Sequence, residues 1–428
     1  MQIALVNHRY APFLGGSERH AQVIAESLAA SGHDVTVVTS NAFDLEYLWD
    51  QRRRPVTAPA TEHLNGVRVV RVPVAHVPAG SLVFGGTRRL MGEISRVGAP
   101  AGPMEWLSRR QPLMPSLTNV LMDAGPYDII HATNIGLEGL PLTAHAAARA
   151  MGAAFVFSPF VHLGEVSNAV ARRFVTMSHQ VRLIRRADAI VVMTETERAF
   201  IESLGVPTGR IVVTGAGTDP SAVTGGNGPA FRREHGLDGF VVGYLGPLAR
   251  EKGAFDLVEA VARLRANGND VLLAMAGPSM SAFESWFRTK APEERDNVRF
   301  LGVISEEAKR DFLSAMDVCA LPSRTESFGI VYAEAWANRK PVIAANAGAV
   351  PEIVRHETNG LLVDFGDVEG LARTIARLQC DPELSVRLGS AGFVDTMAKH
   401  TWPQVVARTH MAYERAVGYP IQEAVTSG

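Results

Sequence analysis

The sequence holds no lysine before Lys252, so every permanently positive side chain upstream of it is an arginine. Cysteine is almost absent too. The two in 428 residues, Cys319 and Cys380, lie in apolar or helical contexts without metal-ligand spacing. That excludes a disulfide framework and fits reduced structural thiols of a cytosolic protein. No apolar run reaches the ~18 residues of a membrane span. The chain opens directly into a strand-like Ile3-Ala4-Leu5-Val6-Asn7, with no charged leader ahead of a long apolar core, so no signal peptide is expected. A net charge of −2, with no regular interleaving of arginine and aromatics, excludes a strongly basic nucleic-acid binder. What is present is ordinary for a soluble α/β protein, 46% hydrophobic and 20% charged. A chain of this length exceeds one core and predicts two domains of roughly 200 residues each.

The order of strand-like runs supplies the architecture. The first half contains seven: Ile3 to Asn7, Asp34 to Thr39, Val67 to Val72, Asp128 to Ala132, Ala154 to Ser158, Ala189 to Met193 and Ile211 to Thr214. They are rich in Val, Ile and Ala and do not alternate, as expected of parallel strands buried on both faces. A helix from Ser17 to Ser31 places Ala21, Ile24, Ala25 and Leu28 on one face and stops at Gly32. A second series follows, at Val241 to Leu245, Val271 to Ala276, Arg299 to Leu301, Val318 to Leu321, Val342 to Ala345 and Leu361 to Val363. Two successive β–α series predict two Rossmann-like domains, 1–219 and 220–401, with the linker inside Pro220 to Gly239, where Gly225-Gly226-Asn227-Gly228-Pro229 breaks regular structure.

The richest segment runs from Leu321-Pro322-Ser323 through Glu326-Ser327-Phe328-Gly329 to Ile330-Val331-Tyr332-Ala333-Glu334. It reads as a strand, a loop and the start of a helix, with Glu326 just ahead of the helix and Glu334 inside it. The amides of Phe328, Gly329, Ile330 and Val331 are then the unpaired donors of a helix N-terminus, a ready anion site. A diphosphate seated on them leaves the two carboxylates free to accept hydroxyl hydrogen bonds from a sugar and a ribose. A glutamate at a helix start also has a plainer use, complementing the helix dipole. Near the N-terminus, Pro12-Phe13-Leu14-Gly15-Gly16-Ser17 follows the first strand and opens the first helix; Gly15 and Gly16 allow backbone to approach a phosphate closely, or simply make a turn. The spacing is not that of a dinucleotide fingerprint.

Two glutamates eight residues apart, after Pro-Ser and before Ala-x-Ala, resemble the motif of the large GT4 group of retaining glycosyltransferases, which have the GT-B fold. The resemblance continues through Lys340-Pro341-Val342-Ile343-Ala344, the loop Gly348 to Glu352, and Asn359-Gly360-Leu361-Leu362-Val363. It implies an α/β protein of two Rossmann-like domains whose parallel sheets face an interdomain cleft, with a C-terminal helix, within 402–428, packing back on the first domain. It implies that Gly15 and Gly16 face the donor diphosphate, that Glu326 orients the transferred sugar, and that Glu334 holds ribose. It also implies that His162, in Ser158-Pro159-Phe160-Val161-His162, bonds the reacting sugar, and that Ser327 and its neighbours cradle the donor. Gly277, in Ala276-Gly277-Pro278, and Val303, in Leu301-Gly302-Val303-Ile304, are expected at ribose and base, where backbone reads the base edge.

Metal-dependent transferases of the other large fold use Asp-x-Asp, which occurs nowhere in this chain. The substitute cations are expected in the loop Gly246-Pro247-Leu248-Ala249-Arg250-Glu251-Lys252-Gly253. Lys252 matches the family lysine; Pro247 stands where the family has arginine, and Arg250 is the stand-in within the same loop, or a solvated charge. His131, ending its strand, and Asn134 are candidates for the acceptor, as is Glu138 nearby, although packing explains His131 equally well.

The function expected is therefore a retaining transfer of a sugar from a nucleotide-diphosphate-sugar to a hydroxyl acceptor, with no metal and no cofactor. Two other classes stay open: a sugar-nucleotide epimerase of the same fold, and a non-catalytic nucleotide-sugar-binding protein, which Pro247 makes conceivable. Between Val74 and Asn119 the periodicity fails, and arginines mix with Phe84, Met91, Trp106 and Met114. That stretch reads as a long solvated loop with short helices, or as an insertion meeting acceptor or anionic lipid at the inner face of a membrane.

Overall fold

The computed structural model describes residues 1–13, 15–98, 100–161, 173–324 and 326–418. The chain divides into two compact units. One contains Met1–Val161, the run up to Thr214, and the chain from Val405 onward; the other contains Gly215–Gln404. Each is built on one twisted sheet with helices, the α/β arrangement that the strand order predicts.

The first sheet has eight strands, β1 (Gln2–Asn7), β2 (Asp34–Ser40), β3 (Thr61–Leu64), β4 (Val67–Val72), β5 (Ile129–Thr133), β6 (Ala154–Ser158), β7 (Ala189–Val192) and β8 (Ile211–Val213), in the order β3-β4-β2-β1-β5-β6-β7-β8. All pair parallel except β3, which pairs antiparallel with β4. Apolar runs build the centre because both faces are covered: Ile3, Ala4, Val6, Ile129, Ile130, Val156 and Ile190 are fully buried. The strand absent from the sequence reading is β3. Its polar Thr61-Glu62-His63 carries no apolar run, but Asn65 and Gly66 both take positive φ (49° and 82°), the two-residue hairpin turn that an Asn-Gly pair favours. That dipeptide was the available signal.

Between Val74 and Asn119 the chain is largely helical, at Gly80–Arg96, Ala101–Ser108 and Leu117–Ala124. Periodicity fails there because the helices bury side chains on a small core of their own, Met91, Met104 and Met177, flanked by Ile94, Leu107 and Phe174. Trp49 stacks on Phe84 with ring centroids 4.3 Å apart.

The second sheet has six strands, β9 (Phe240–Leu245), β10 (Val271–Ala276), β11 (Val298–Gly302), β12 (Val318–Leu321), β13 (Val342–Ala345) and β14 (Leu361–Val363), all parallel, in the order β11-β10-β9-β12-β13-β14. The division between units falls between Thr214 and Gly215, ahead of the glycine-rich stretch expected as a linker. Those glycines lie instead within the second unit, pressed on the helix Glu306–Ala315: a Cβ on Gly226 would come within 2.3 Å of the Arg310 carbonyl oxygen, and one on Gly228 within 2.8 Å of Ser314 backbone.

The last helix, Trp402–Val417, starts in the second unit and belongs to the first from Val405. Within the first unit Arg408 Nε donates to the Thr214 carbonyl at 2.9 Å, and the fully buried Tyr413 hydroxyl meets His131 Nδ1 at 2.8 Å. Replacing Tyr413 by Phe strands that buried ring nitrogen, so Tyr413→Phe should lose about 1–3 kcal/mol of unfolding free energy in chemical denaturation. An unchanged midpoint and slope would mean that this bond does not hold the helix.

Candidate active site

In open α/β sheets ligands collect beyond the carboxyl ends of the strands, where the strand order reverses. In the second unit that reversal lies between β9 and β12, so the two loops that matter are Gly246–Gly253 and Pro322–Gly329. They are stitched together. The Arg324 amide donates to the Glu251 carbonyl at 2.9 Å, and the Ser323 hydroxyl donates to the same oxygen at 3.3 Å. Gly253 sits at φ 73°, where a Cβ would come within 2.3 Å of the Pro322 carbonyl oxygen. This close approach brings Lys252 Nζ to 2.7 Å from Glu326 Oε1, both side chains partly buried.

The helix Ile330–Ala337 starts at Gly329 (φ 83°) and no side chain caps it. Its position follows from buried packing: Phe328 packs edge-on to His400, and Tyr332, Ala333, Ala335 and Trp336 are fully buried. Tyr332 donates to the Leu321 carbonyl and Trp336 Nε1 to the Asn359 carbonyl, each at 2.9 Å. The Asn359-Gly360 motif thereby supports the helix that carries Glu334. Glu334 is 9% exposed and its Oε1 lies 3.0 Å from Lys309 Nζ, which also meets Glu306 Oε2 at 2.9 Å. Burial alone lowers the Lys309 pKa, but the charges and hydrogen bonds of Glu334 and Glu306 outweigh it and raise it above the usual lysine value.

The neighbouring strand ends close the same side. Gly277, at φ 140°, would drive a Cβ to 2.0 Å from the Gly246 carbonyl, and its amide donates to the Gly302 carbonyl at 2.7 Å. Val303 follows, 79% exposed. Sequence reasoning therefore selected residues that the fold gathers at one rim: Lys252, Gly277, Val303, Glu326, Ser327, Phe328, Gly329, Ile330, Val331 and Glu334. Lys309, carried by the next helix, was missed; a lysine one turn into a solvent-facing helix has no sequence signature of its partner. Arg250 lies in the same loop as Lys252, but its guanidinium stacks 4.2 Å over the Phe255 ring. The Pro247 carbonyl accepts from the Tyr244 hydroxyl at 2.6 Å.

In the first unit the order reverses between β1 and β5. Here Gly15 has a use the sequence did not suggest: a Cβ would come within 2.4 Å of Glu18 Oε2, whereas Gly16 has open space around that position. Glu18, buried in the first helical turn of Gly16–Ala30, takes Arg9 Nη2 at 2.7 Å and His8 Nε2 at 3.1 Å on Oε1, and the Ser17 hydroxyl at 2.9 Å on Oε2. Burial by itself pushes this carboxyl up, but the His8 hydrogen bond and the charges of His8 and Arg9 bring it down to about 2. The Gly-Gly-Ser-Glu run, with its acid in the first helical turn, is the signal that reveals it.

The acceptor candidates do not gather. His131 is in the middle of β5, not at its end, and is 3% exposed. With Nδ1 on Tyr413 and Nε2 on Ser158 at 2.7 Å, it is a structural histidine, and burial lowers its pKa to about 3. Asn134 takes φ 73° and accepts from the Gly136 amide at 2.9 Å, making a turn. Glu138 is buried against Arg88 and His179, not lining an opening. His162 lies outside the described residues.

Comparison with known proteins agrees with both units. A family model described as glycosyl transferase 4-like domain matches residues 15–217, and one described as glycosyl transferases group 1 matches residues 229–394. A D-inositol 3-phosphate glycosyltransferase of Stackebrandtia nassauensis is 30% identical over 74% of this chain and 76% of its own. A glycogen synthase of Mycobacterium tuberculosis is 26% identical over 96% and 94%. Among solved structures, a sucrose-phosphate synthase from Thermosynechococcus elongatus overlays with a TM-score of 0.71 at 21% identity, covering 98% of this chain and 100% of its own. The Anabaena protein HepE, in complex with UDP, overlays at 0.68 with 20% identity, covering 96% and 99%. Motif, sheet order and matches agree across both units, and the chain belongs to the group 1 glycosyl transferases, enzymes of the GT4 type with the GT-B fold.

Proposed function

We propose that this glycosyltransferase takes its sugar from a nucleotide-diphosphate-sugar, delivers it to a hydroxyl with retention at the anomeric carbon, and needs no metal ion. The observation that carries this reading is the Lys252–Glu326 pair, 2.7 Å apart where the loops after β9 and β12 meet, beside an uncapped helix start. A diphosphate competes for the Lys252 ammonium with more charge than one carboxylate has. Donor binding therefore draws Lys252 off Glu326 and leaves Glu326 to accept sugar hydroxyls. Glu334 accepts the ribose hydroxyls, and backbone beside Gly277 and Val303 meets the base. HepE, the structural neighbour, is in complex with UDP and with UDP-glucose, which supports a donor of this class.

Retention then follows without a protein nucleophile. The acceptor oxygen bonds the anomeric carbon on the face the phosphate leaves, and its proton passes to the departing diphosphate oxygen. Cations and helix amides hold the charge that develops there. His162 positions the sugar in this scheme, and Gly16 leaves its backbone open to a phosphate. A panel of nucleotide-sugars read by thermal shift identifies the donor. With that donor, turnover should survive excess EDTA without added divalent ion, and product NMR should show the donor's anomeric configuration kept. Reversible loss on chelation rejects the metal-free reading, and donor consumed without any acceptor points to an epimerase.

Arg250 is proposed as the second cation, replacing the arginine displaced by Pro247, which offers neither charge nor an N–H. It must leave the Phe255 ring, a stack worth about 0.5–1 kcal/mol at an exposed site, to grasp two phosphate oxygens. Arg250→Ala should cut turnover about 10²- to 10³-fold, with Arg250→Lys recovering part. Near-normal turnover would confine Arg250 to its ring stack.

A lipid surface is the proposed peripheral partner of the first unit. Helix Gly80–Arg96 exposes Leu82 (79%), Val83 and Leu90 along one stripe, continued by Val97 (83%), with Arg89 exposed beside it and Trp106 exposed on the next helix under Arg110. Apolar stripe and arginine flanks suit an anionic interface. Among the described residues no helix is long and apolar enough to cross a membrane. The chain should float with vesicles containing phosphatidylglycerol and not with phosphatidylcholine alone, and Leu82→Glu with Leu90→Glu should abolish flotation. Equal recovery of wild type and double variant would remove the lipid contact.

A further inference from the structure

Glu334 is an unusual choice for a hydroxyl-binding carboxylate because the fold already surrounds it. Its side chain is nearly buried in the apolar helix Ile330–Ala337, next to the fully buried Cys319 of β12, whose thiol burial pushes up to about 12, so that it brings no charge. A carboxylate so placed needs a compensating cation, because an isolated buried charge is costly. Lys309 supplies it at 3.0 Å. Lys309 in turn is held from its other side by Glu306 at 2.9 Å, one turn back on the same helix and well exposed. That helix, Glu306–Ala315, begins at Ser305, whose hydroxyl accepts from the Ala308 amide at 3.1 Å, directly after the Gly302–Val303 stretch.

We propose that Lys309 is a positioning residue for nucleotide recognition: its ammonium fixes the rotamer of Glu334 by anchoring it to the helix that follows the Gly302–Val303 loop, so that the carboxylate is held ready for the ribose. This rests on the reading of Glu334 as the ribose residue. Of the three N–H donors of the ammonium, Glu334 and Glu306 take two, in a row of acid, base and acid running from the interior to the surface. Glu306 is thus the outer anchor that keeps Lys309 from turning to solvent.

The proposal separates two effects that a loss of folding would blur. Lys309 does not touch the ribose in this scheme, so its replacement should act only on the part of affinity that comes from ribose hydroxyls. The probes are UDP, GDP and ADP, with the tightest binder compared with its 2′,3′-dideoxy analogue by calorimetry. Wild type should prefer the ribonucleotide roughly tenfold or more, the scale of a charge-assisted hydrogen bond. Lys309→Met should erase most of that preference while leaving the dideoxy analogue's affinity unchanged. Lys309→Arg should keep it, and the exposed-side variant Glu306→Gln, which leaves the buried pair intact for folding, should reduce it by about two- to threefold. A preference abolished by Glu334→Gln but kept in full by Lys309→Met and by Glu306→Gln overturns the role of Lys309 alone. A preference that survives Glu334→Gln takes down the ribose reading, and this proposal with it.

Discussion

The contact between Gly253 and the carbonyl of Pro322 is the constraint on which the rest of the site depends. Only a residue without Cβ, and tolerant of positive φ, lets the loop after β9 lie against the loop after β12. Once it does, the Glu251 carbonyl accepts from both Arg324 and Ser323, and Lys252 is delivered to Glu326 without any contribution from either side chain's own preference. Two loops distant in sequence become one surface because the sheet order reverses between their strands. The chemistry follows from topology first and from residue identity second.

The same hierarchy explains which features could be read in the amino-acid sequence. Five of the six strands of the second sheet are buried apolar runs, as parallel strands covered on both faces have to be, whereas the edge strand β11 carries Arg299 and leaves Phe300 exposed. Glu326 and Glu334 were legible because loop and helix start are local events, written in Pro322, Gly329 and the apolar stretch that follows Gly329. His131 was misjudged by a shift in the strand end: with β5 continuing to Thr133, a side chain expected at the rim turns into the interior, against Ser158 and Tyr413. The Tyr413 partner sits at the far end of the chain, where no local pattern links it to His131. Glu138, Arg88 and His179 meet for the same non-local reason. Helix Gly80–Arg96 was harder to read because its apolar residues are divided between a buried side, where Met91 meets Met104 and Met177, and an exposed side that carries Leu82, Val83 and Leu90.

Charge is distributed in a way that composition alone hides. Every lysine falls in the second unit, and two of them, Lys252 and Lys309, neutralise the two motif glutamates. The first unit uses arginine throughout, stacked on rings, as Arg9 on Phe13 at 3.7 Å, or forked onto carboxylates such as Glu18. A compact ammonium exchanges partners readily, while a guanidinium fixed by a ring and a fork is a structural strut. The division leaves exchangeable charges on the two motif glutamates of the second unit, and struts around the first helical turn of the first.

The short antiparallel strand β3 has a consequence for the molecule as a particle among others. A parallel sheet that ended at β4 would present Val67–Val72 as a bare row of amides and carbonyls, a template for strand addition by a neighbouring chain. The Asn65-Gly66 turn folds Thr61–Leu64 over that row and leaves outermost a strand of four residues carrying Glu62 and His63. An edge so short and polar gives an incoming strand little to pair with, so on that side the sheet is guarded against the cross-β growth to which long apolar edges are prone.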